Sequence, residues 1–459
     1  MTLVVPGVEV KVVKEVVAPQ LSPSGVLGLV GLTEKPVPGL TVVQSWSRFI
    51  EILGAASAFS LPEAAAALAN GVSELVISPV SASDSTATPA SIKVDGLKAD
   101  GSADASAFTV TARAPGPWAN GLTVTIAQRT PLTGAKVFDL TVKRGDTVLE
   151  ATRNLIMVAT KDAKAADAVI ADRSQMISLT LGTGAWPKDG DYTLAGGKDA
   201  STAGLHAALV ALEDDADVDM VLVALQDMSD QKIVAQVYSD VISHCERMSA
   251  ASKGRIGFGQ VPTTGTVAAW TDLVSNLVSD RFVLLAPNGV AASVAGMIGG
   301  LDYFQSPTFK TLTGLTDLSK SLVTEDQITL LNAHIVPVVT QRGRGTIVLR
   351  GLTTDGDQIS VRRVADRAVR GVKLIGELFI GRLNNDVGRG ALKQKLTEFL
   401  VQMERDGAIV PSTDGKQPSF TLDVYSSQDD FSKGIVRIDL AVRPVRAIDF
   451  IYATVLVQS

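Results

Sequence analysis

At 459 residues with 46% apolar content, the chain is long enough to hold about two to four domains with real hydrophobic cores. Its net charge of -6 and aromatic content of 5% speak against nucleic-acid binding, which draws on a basic surface and on stacking platforms. A single cysteine, Cys245, excludes an internal disulfide framework and fits a reducing compartment.

The chain opens on an alternating segment in which Val8, Val10 and Val12 are separated by Glu9 and Lys11, behind a Pro6-Gly7 turn. That stretch has no basic leader and is broken by polar residues, so no secretory signal is expected. Residues 26–32 read as a buried strand, followed by a connector at Pro36, Pro38 and Gly39. Helices are expected over 45–53 and 62–70, and a strand over 75–79. From about Ser81 to Gly197 the composition shifts to Ser, Thr, Asp and Gly. Within it, period-two segments at 91–97, 108–112, 122–127, 137–142 and 147–151 predict a β-rich insertion.

The α/β pattern resumes with a helix at 205–212, a strand at 218–225 and a long helix that Ser229 would cap, with Ile233, Val237, Val241, Cys245 and Met248 on one face. Strand, helix, strand and helix are expected at 255–261, 270–278, 282–286 and 290–298. Residues 282–301 are uncharged, but Pro287-Asn288-Gly289 is a turn in their middle, so a buried strand–turn–helix is read there instead of a membrane span. Thr324 and Gln327 suggest a capping box, and 335–340 with 346–350 suggest a hairpin. Beyond a basic region come a long helix from Asp386 or Gly390 to Arg405 and strands at 419–424 and 434–442.

The chain closes as it opened: Ile448, Phe450, Tyr452, Thr454 and Leu456 alternate along one face. Terminal strands this rich in Val, Ile and aromatics need a partner, and an open strand is a template for adding to the sheet of another molecule. The expectation is an assembling protein.

Catalytic motifs are weak. Gly254-Arg255-Ile256-Gly257-Phe258-Gly259 lies in a strand and lacks the last glycine of a dinucleotide fingerprint, and Gly196-Gly197-Lys198-Asp199 has Asp where a phosphate loop needs Ser or Thr. His206, His244 and His334 are scattered, and His244 and Cys245 point about 100° apart on a helix. No G-x-S-x-G elbow is present. Glu213, Asp214, Asp215, Asp217 and Asp219 lack the glycine and terminal glutamate of a calcium loop. No catalytic residue, cofactor or metal is therefore expected. From Arg342 to Arg405, 13 Lys/Arg stand against 7 Asp/Glu. This is either a solvated face or a surface for an acidic partner, and without interleaved aromatics nucleic acid fits less well.

Several segments resemble the sheath proteins of contractile phage tails and related contractile injection systems. Val5-Pro6-Gly7-Val8-Glu9-Val10, with 28–31 and 45–54, is similar to that family's amino-terminal arm, first strand and first helix. Ala114-Pro115-Gly116-Pro117-Trp118-Ala119-Asn120-Gly121 resembles its tryptophan turn, with Ala119 in place of the usual glycine, and Ala195-Gly196-Gly197-Lys198-Asp199 resembles the return to the sheath domain. Ser293-Val294-Ala295-Gly296, Asp302, Ser306-Pro307 and Leu330-Leu331-Asn332 follow in the family's order. Asn384-Asn385-Asp386, Phe399-Leu400, Asp406-Gly407-Ala408, Val442-Arg443-Pro444-Val445 and Asp449-Phe450-Ile451 resemble its carboxy-terminal signature, with Leu383-Asn384-Asn385 replacing the glutamate-proline-asparagine often found.

With the residue reading, the resemblance implies a multidomain α/β and α+β fold. A layered α/β core (21–83 and 200–341) would carry an inserted β-rich outward domain (84–199) and an α+β inner domain facing a tube (342–445). Linking arms would lie at 1–20 and 446–459. The inter-subunit strands would be carried by Val8, Val10, Val12, Phe450, Ile451, Tyr452, Thr454 and Leu456, and the tube-facing candidates are Arg389 and Lys393. Implied partners are further copies in stacked hexameric rings, an inner tail tube protein, and baseplate and terminator proteins, with no direct nucleic acid and no membrane insertion. The implied place is a virion tail or injection particle assembled in a bacterial cytoplasm. A non-contracting ring-forming baseplate subunit, and an α/β enzyme with an unrecognised site, are the rival readings.

Overall fold

The computed structural model describes residues 24–80, 86–98, 100–129, 136–157, 165–315 and 317–453. It divides into two compact units, one running to Asp366 and taking back the chain from Arg446, the other spanning Arg367–Val445.

The first unit begins with β1 (Val26–Gly31), β2 (Thr41–Val43), α1 (Trp46–Leu53), α2 (Ser57–Ser60), α3 (Glu63–Ala69) and β3 (Glu74–Pro79). Every residue of β1 is buried, as a strand covered on both faces requires. Ser45 caps α1 by accepting the Arg48 N–H.

The insert follows as β4 (Ser91–Leu97), β5 (Ala103–Ala112), β6 (Leu122–Arg129), β7 (Val137–Arg144), β8 (Thr147–Leu155), α4 (Ala166–Arg173), β9 (Ile177–Leu181), β10 (Trp186–Pro187) and β11 (Gly190–Thr193). They form two four-stranded antiparallel sheets, ordered β10-β4-β5-β9 and β11-β6-β7-β8. One hydrophobic core joins them, with Val94, Phe108 and Val110 from the first and Val124, Phe138 and Leu140 from the second.

The α/β layer continues through α5 (Thr202–Ala211), β12 (Met220–Val223), α6 (Gln231–Ala250), β13 (Ile256–Gln260), α7 (Val267–Val274), β14 (Phe282–Ala286), α8 (Ala291–Gly300), α9 (Thr324–Asn332), β15 (Val336–Gln341), β16 (Gly345–Val348) and α10 (Ile359–Glu377). The sheet runs β16-β15-β14-β13-β12-β1-β3-β2, parallel from β15 to β3 and antiparallel at both edges. Side chains of α5, α6, α7 and α9 build the core on one face, and those of α1, α3 and α8 build it on the other. The glycines of α8 serve close packing: a Cβ at Gly296 would run into the backbone of Ala67 on α3. No helix among the described residues is long and apolar enough to cross a membrane.

Four expectations shift. The N-cap of α6 is Asp230, because the Asp227 carboxylate accepts the Ser229 N–H at 3.0 Å in a turn that delays the helix by one residue. Its buried face is accordingly Val234, Val237, Tyr238, Val241, His244, Cys245 and Met248, and Ile233 is exposed. Helix α9 has Val323 at its N-cap, where only half a box exists: Asp326 accepts the Val323 N–H at 3.3 Å, and valine has no acceptor to return. Helix α10 is hidden in the sequence, because arginines interleave its buried Ile359, Val364, Ala368 and Ile375. The compact division falls later than residue 342 because β16 pairs with β15, and Asp366 is gripped by Arg281 at 3.0 and 3.1 Å.

The second unit holds α11 (Asp386–Arg405), β17 (Phe420–Tyr425), α12 (Gln428–Ser432) and β18 (Arg437–Val442). Asn385 caps α11 through the Gly388 N–H at 2.8 Å. Leu392, Leu396, Ile375 and Val424 form its core, with Phe399, Leu422 and Ile438 packed against it. Strands β17 and β18 pair in register over six residues, and Arg437 of β18 clamps Asp430 of α12, the short helix between them, at 2.7 and 2.8 Å.

Candidate functional site

In an open parallel sheet, a ligand crevice forms outside the carboxyl ends of the strands where the strand order reverses. Here that point lies between β1 and β12, since the chain moves from β1 to β3 and returns through the insert to β12. The chain itself fills it. Gln226, just past β12, donates its amide to the Ser60 carbonyl at 2.8 Å and accepts the Trp118 backbone N–H at 3.2 Å. The Trp118 indole stacks on Phe59 with centroids 5.4 Å apart and donates to the Ala114 carbonyl at 3.1 Å. Gly116, at φ 113°, leaves no room for a Cβ against the Gln226 amide. Past β1, Glu34 pairs with Arg113 at 2.9 Å.

The Ala195–Asp199 turn meets the tryptophan turn at this seam. Asp199 accepts the backbone N–H groups of Gln226 and Asp227 at 2.8 and 2.9 Å, and Asn120 exchanges two 2.9 Å hydrogen bonds with the Gly197 backbone. Beside it, Glu63 has a buried, unpaired Oε2, and burial next to Asp199 pushes its carboxyl up to about 7.

The other chemical candidates are structural. Gly257 and Gly259 make room for Val241 and Tyr238 of α6. His244 is fully buried, with Nε2 2.8 Å from an Arg255 amino group. Arginine only donates, so Nε2 accepts and the proton sits on Nδ1. Burial and then Arg255 hold this imidazole down to about 4. Burial pushes the Cys245 thiol up to about 12, which leaves no thiolate nucleophile. In the acidic run, Glu213 pairs with Arg247 at 2.8 Å, and Asp219 fixes the start of β1 by accepting the Gly25 and Val26 N–H groups at 2.9 and 2.8 Å. Among the described residues no group of three or more His, Cys, Asp or Glu can hold a metal.

Of the arm residues, Val8, Val10, Val12, Thr454 and Leu456 lie outside the described residues. Phe450, Ile451 and Tyr452 are 64%, 83% and 94% exposed. Between exposed Ile448 and Phe450, Asp449 turns inward, a role that alternation alone does not signal. Part of the basic excess is drawn into contacts within the subunit. Arg389 donates to the Asn384 side chain at 2.8 Å and pairs with Asp386, and Lys393 meets Asp423 at 3.2 Å. Arg362 pairs with Asp280 and Asp366 at 2.8 and 3.2 Å.

The phage tail sheath protein central domain matches residues 198–354, and the phage tail sheath C-terminal domain matches residues 353–458. No curated protein matches the chain by sequence. Among solved structures, the sheath tail protein of Listeria innocua is 14% identical over 94% of both chains, with a TM-score of 0.54. The contracted helical sheath of the anti-feeding prophage is 13% identical over 99% of both chains, with a TM-score of 0.56. The contracted sheath complex of the PVC extracellular contractile injection system is 12% identical over 99% of this chain and 98% of that one, with a TM-score of 0.60. These likenesses carry the fold, and the two family domains adjoin in order over more than half of the chain. The chain belongs to the phage tail sheath family and is a structural subunit of a tail sheath.

Proposed function

We propose that this subunit polymerises as stacked hexameric rings around an inner tail tube, and that contraction of the lattice drives the tube through a target envelope. The observation that carries this reading is the arm: Phe450, Ile451 and Tyr452 stand exposed at the end of the described chain. A suitable acceptor exists on every copy. Among the described residues, β17 and β18 pair only with each other, and a two-stranded sheet is marginal until further strands join it. The amino-terminal arm (1–20) and carboxy-terminal arm (446–459) would add to such sheets on neighbouring copies, using backbone hydrogen bonds.

In this arrangement the insert (84–199) faces outward and the domain at 342–445 faces the tube, with Arg389 and Lys393 as candidate contacts. Baseplate and terminator proteins close the two ends, and assembly takes place in the host cytoplasm before the tail or injection particle is released. The work is stored in the lattice, because a metastable arrangement repacks into a better one, so neither nucleotide nor catalytic site is needed. The filled crevice at the switch point supports a structural role over an α/β enzyme.

Proline at Val10 or Ile451 tests the reading, since it removes a ladder donor and restricts φ. Either variant should stay folded and fail to form cylinders. Normal cylinders from both would refute strand exchange, and a collapsed melt would place these strands in the subunit's own core.

A further inference from the structure

The exposed carboxy-terminal arm has a built root. The Asp449 side chain is 7% exposed, while its neighbours Ile448 and Phe450 are 79% and 64% exposed. Its Oδ2 accepts from Arg350 Nε at 2.9 Å and from Gln358 Nε2 at 2.9 Å. Its Oδ1 takes the Thr308 hydroxyl at 3.5 Å, and that hydroxyl oxygen itself accepts the Gly351 N–H at 3.2 Å. Gln358 also pairs with the backbone of Ala447, accepting its N–H at 2.9 Å and donating to its carbonyl at 3.1 Å. Arg446 bonds Asp357 at 2.7 Å, and the Arg350 guanidinium lies 5.0 Å over the Phe450 ring. Four of the five positions from 446 to 450 are thus held by side chains of the segment 308–358, all but Ile448, and Ile451 and Tyr452 beyond them are open to solvent.

All of these partners belong to the α/β unit, although the residues preceding Arg446 belong to the other unit. A polar cluster so fully connected, at the foot of an otherwise apolar exposed arm, selects one geometry, because a buried carboxylate left without its donors is costly. Strand addition needs a donor strand whose starting point and direction match the acceptor, since a slip of one residue reverses which side chains face inward.

We propose that Asp449, with Arg350 and Gln358, is the positioning device of the carboxy-terminal arm. The clasp sets the place and direction in which the arm leaves the α/β body toward another copy of this chain, and it transfers pull on the arm to that body. This rests on the strand-linked sheath reading above. Asp449 positions the arm and touches no acceptor strand itself.

The test uses the full-length protein and the variants Asp449→Ala, Gln358→Ala and Arg350→Ala. Three readouts are taken: thermal melting, hydrogen exchange of the Ala447 amide in the unassembled subunit, and the critical concentration for cylinders. The expected result is a protected Ala447 amide in the wild type, the one backbone N–H the clasp holds, that exchanges about tenfold faster in the variants, and a critical concentration raised about tenfold with the melt little changed, as loss of one buried charged hydrogen-bond set implies. Should Asp449→Ala misfold, Gln358→Ala carries the test, since it leaves the carboxylate its arginine. An unprotected Ala447 amide in the wild type would overturn the clasp, as would variants that assemble at the wild-type critical concentration. A wild type that forms no cylinders would overturn the sheath lattice instead, and the exchange data would still decide whether the root is held.

Discussion

Two buried groups of the α/β unit give opposite pH responses of similar size, and single substitutions should expose each. Burial pushes Glu63 up to about 7 from its ordinary 4.5, and burial with Arg255 holds His244 down to about 4 from 6.5. A raised carboxyl is protonated in the fold, so its contribution is present below pH 4.5 and is lost as pH rises through 7. A depressed imidazole is neutral in the fold, so its contribution is present above pH 6.5 and is lost as pH falls through 4. Each displacement is worth about 3 kcal/mol, at about 1.4 kcal/mol per pH unit. In the wild type the two responses oppose each other across this window. Glu63→Gln removes one of them, so relative to wild type its stability should fall by about 3 kcal/mol on acidification from pH 7 to 4.5. His244→Gln, whose amide oxygen can still accept from Arg255, should lose about the same amount in the reverse direction, as pH rises. Urea unfolding followed by tryptophan fluorescence at steps from pH 4.5 to 7.5 reads both, because Trp118 lies at the seam and Trp270 in the core shared with α6. Taking differences from wild type cancels the other titrating groups. Two variants with the wild-type slope, or with changes of the same sign, would refute the assignment of these slopes to burial.

Asp366→Ala should cost about 3–5 kcal/mol, because it strands the buried Arg281, whereas the double change Arg281→Met with Asp366→Leu should recover most of that; denaturant midpoints compare the three. Gly296→Leu should destabilise by about 3 kcal/mol or more by forcing α8 off α3, seen as a lowered melting temperature. Replacing 86–196 by a short linker should leave the α/β unit folded and able to form cylinders, with Phe59 newly exposed; loss of a cooperative melt would show that the insert belongs to the core. Lys393→Glu should weaken docking to the tube in a salt-sensitive way without unfolding the subunit, while Arg389→Glu should also loosen the turn at Asn384; unchanged docking by sedimentation in both would make the region a solvated face.

The alternation of helix and strand in the α/β layer was legible because its strands are continuous apolar runs between turn residues. Phe282–Ala286 stands where the sequence placed it, and the Pro287-Asn288-Gly289 turn divides it from α8. The insert's longer strands were legible from alternation, but β10 and β11, of two and four residues, are too short to carry a period. Helix α10 stayed hidden because its arginines serve partners such as Asp280 and Asp366, which lie far off or on the helix itself. The same cause misdirects a reading of charge: net charge counts Arg350 and Arg362 as surface, and the fold pairs each with a carboxylate. The Trp118 and Asp199 turns were visible as separate motifs, but their meeting over Gln226 is a tertiary fact. Asp449 read as one polar step in an alternating strand, and only the positions of Arg350 and Gln358 make it a root.

The central claim is that this chain polymerises by itself into a sheath lattice through its arms. Negative-stain microscopy of the purified full-length protein, over a range of concentration and salt and without nucleotide or metal, tests it most directly. Long hollow cylinders are the predicted result. Rings that never stack would contradict the lattice in favour of a baseplate-type subunit, and monodisperse monomers under every condition would contradict self-assembly altogether.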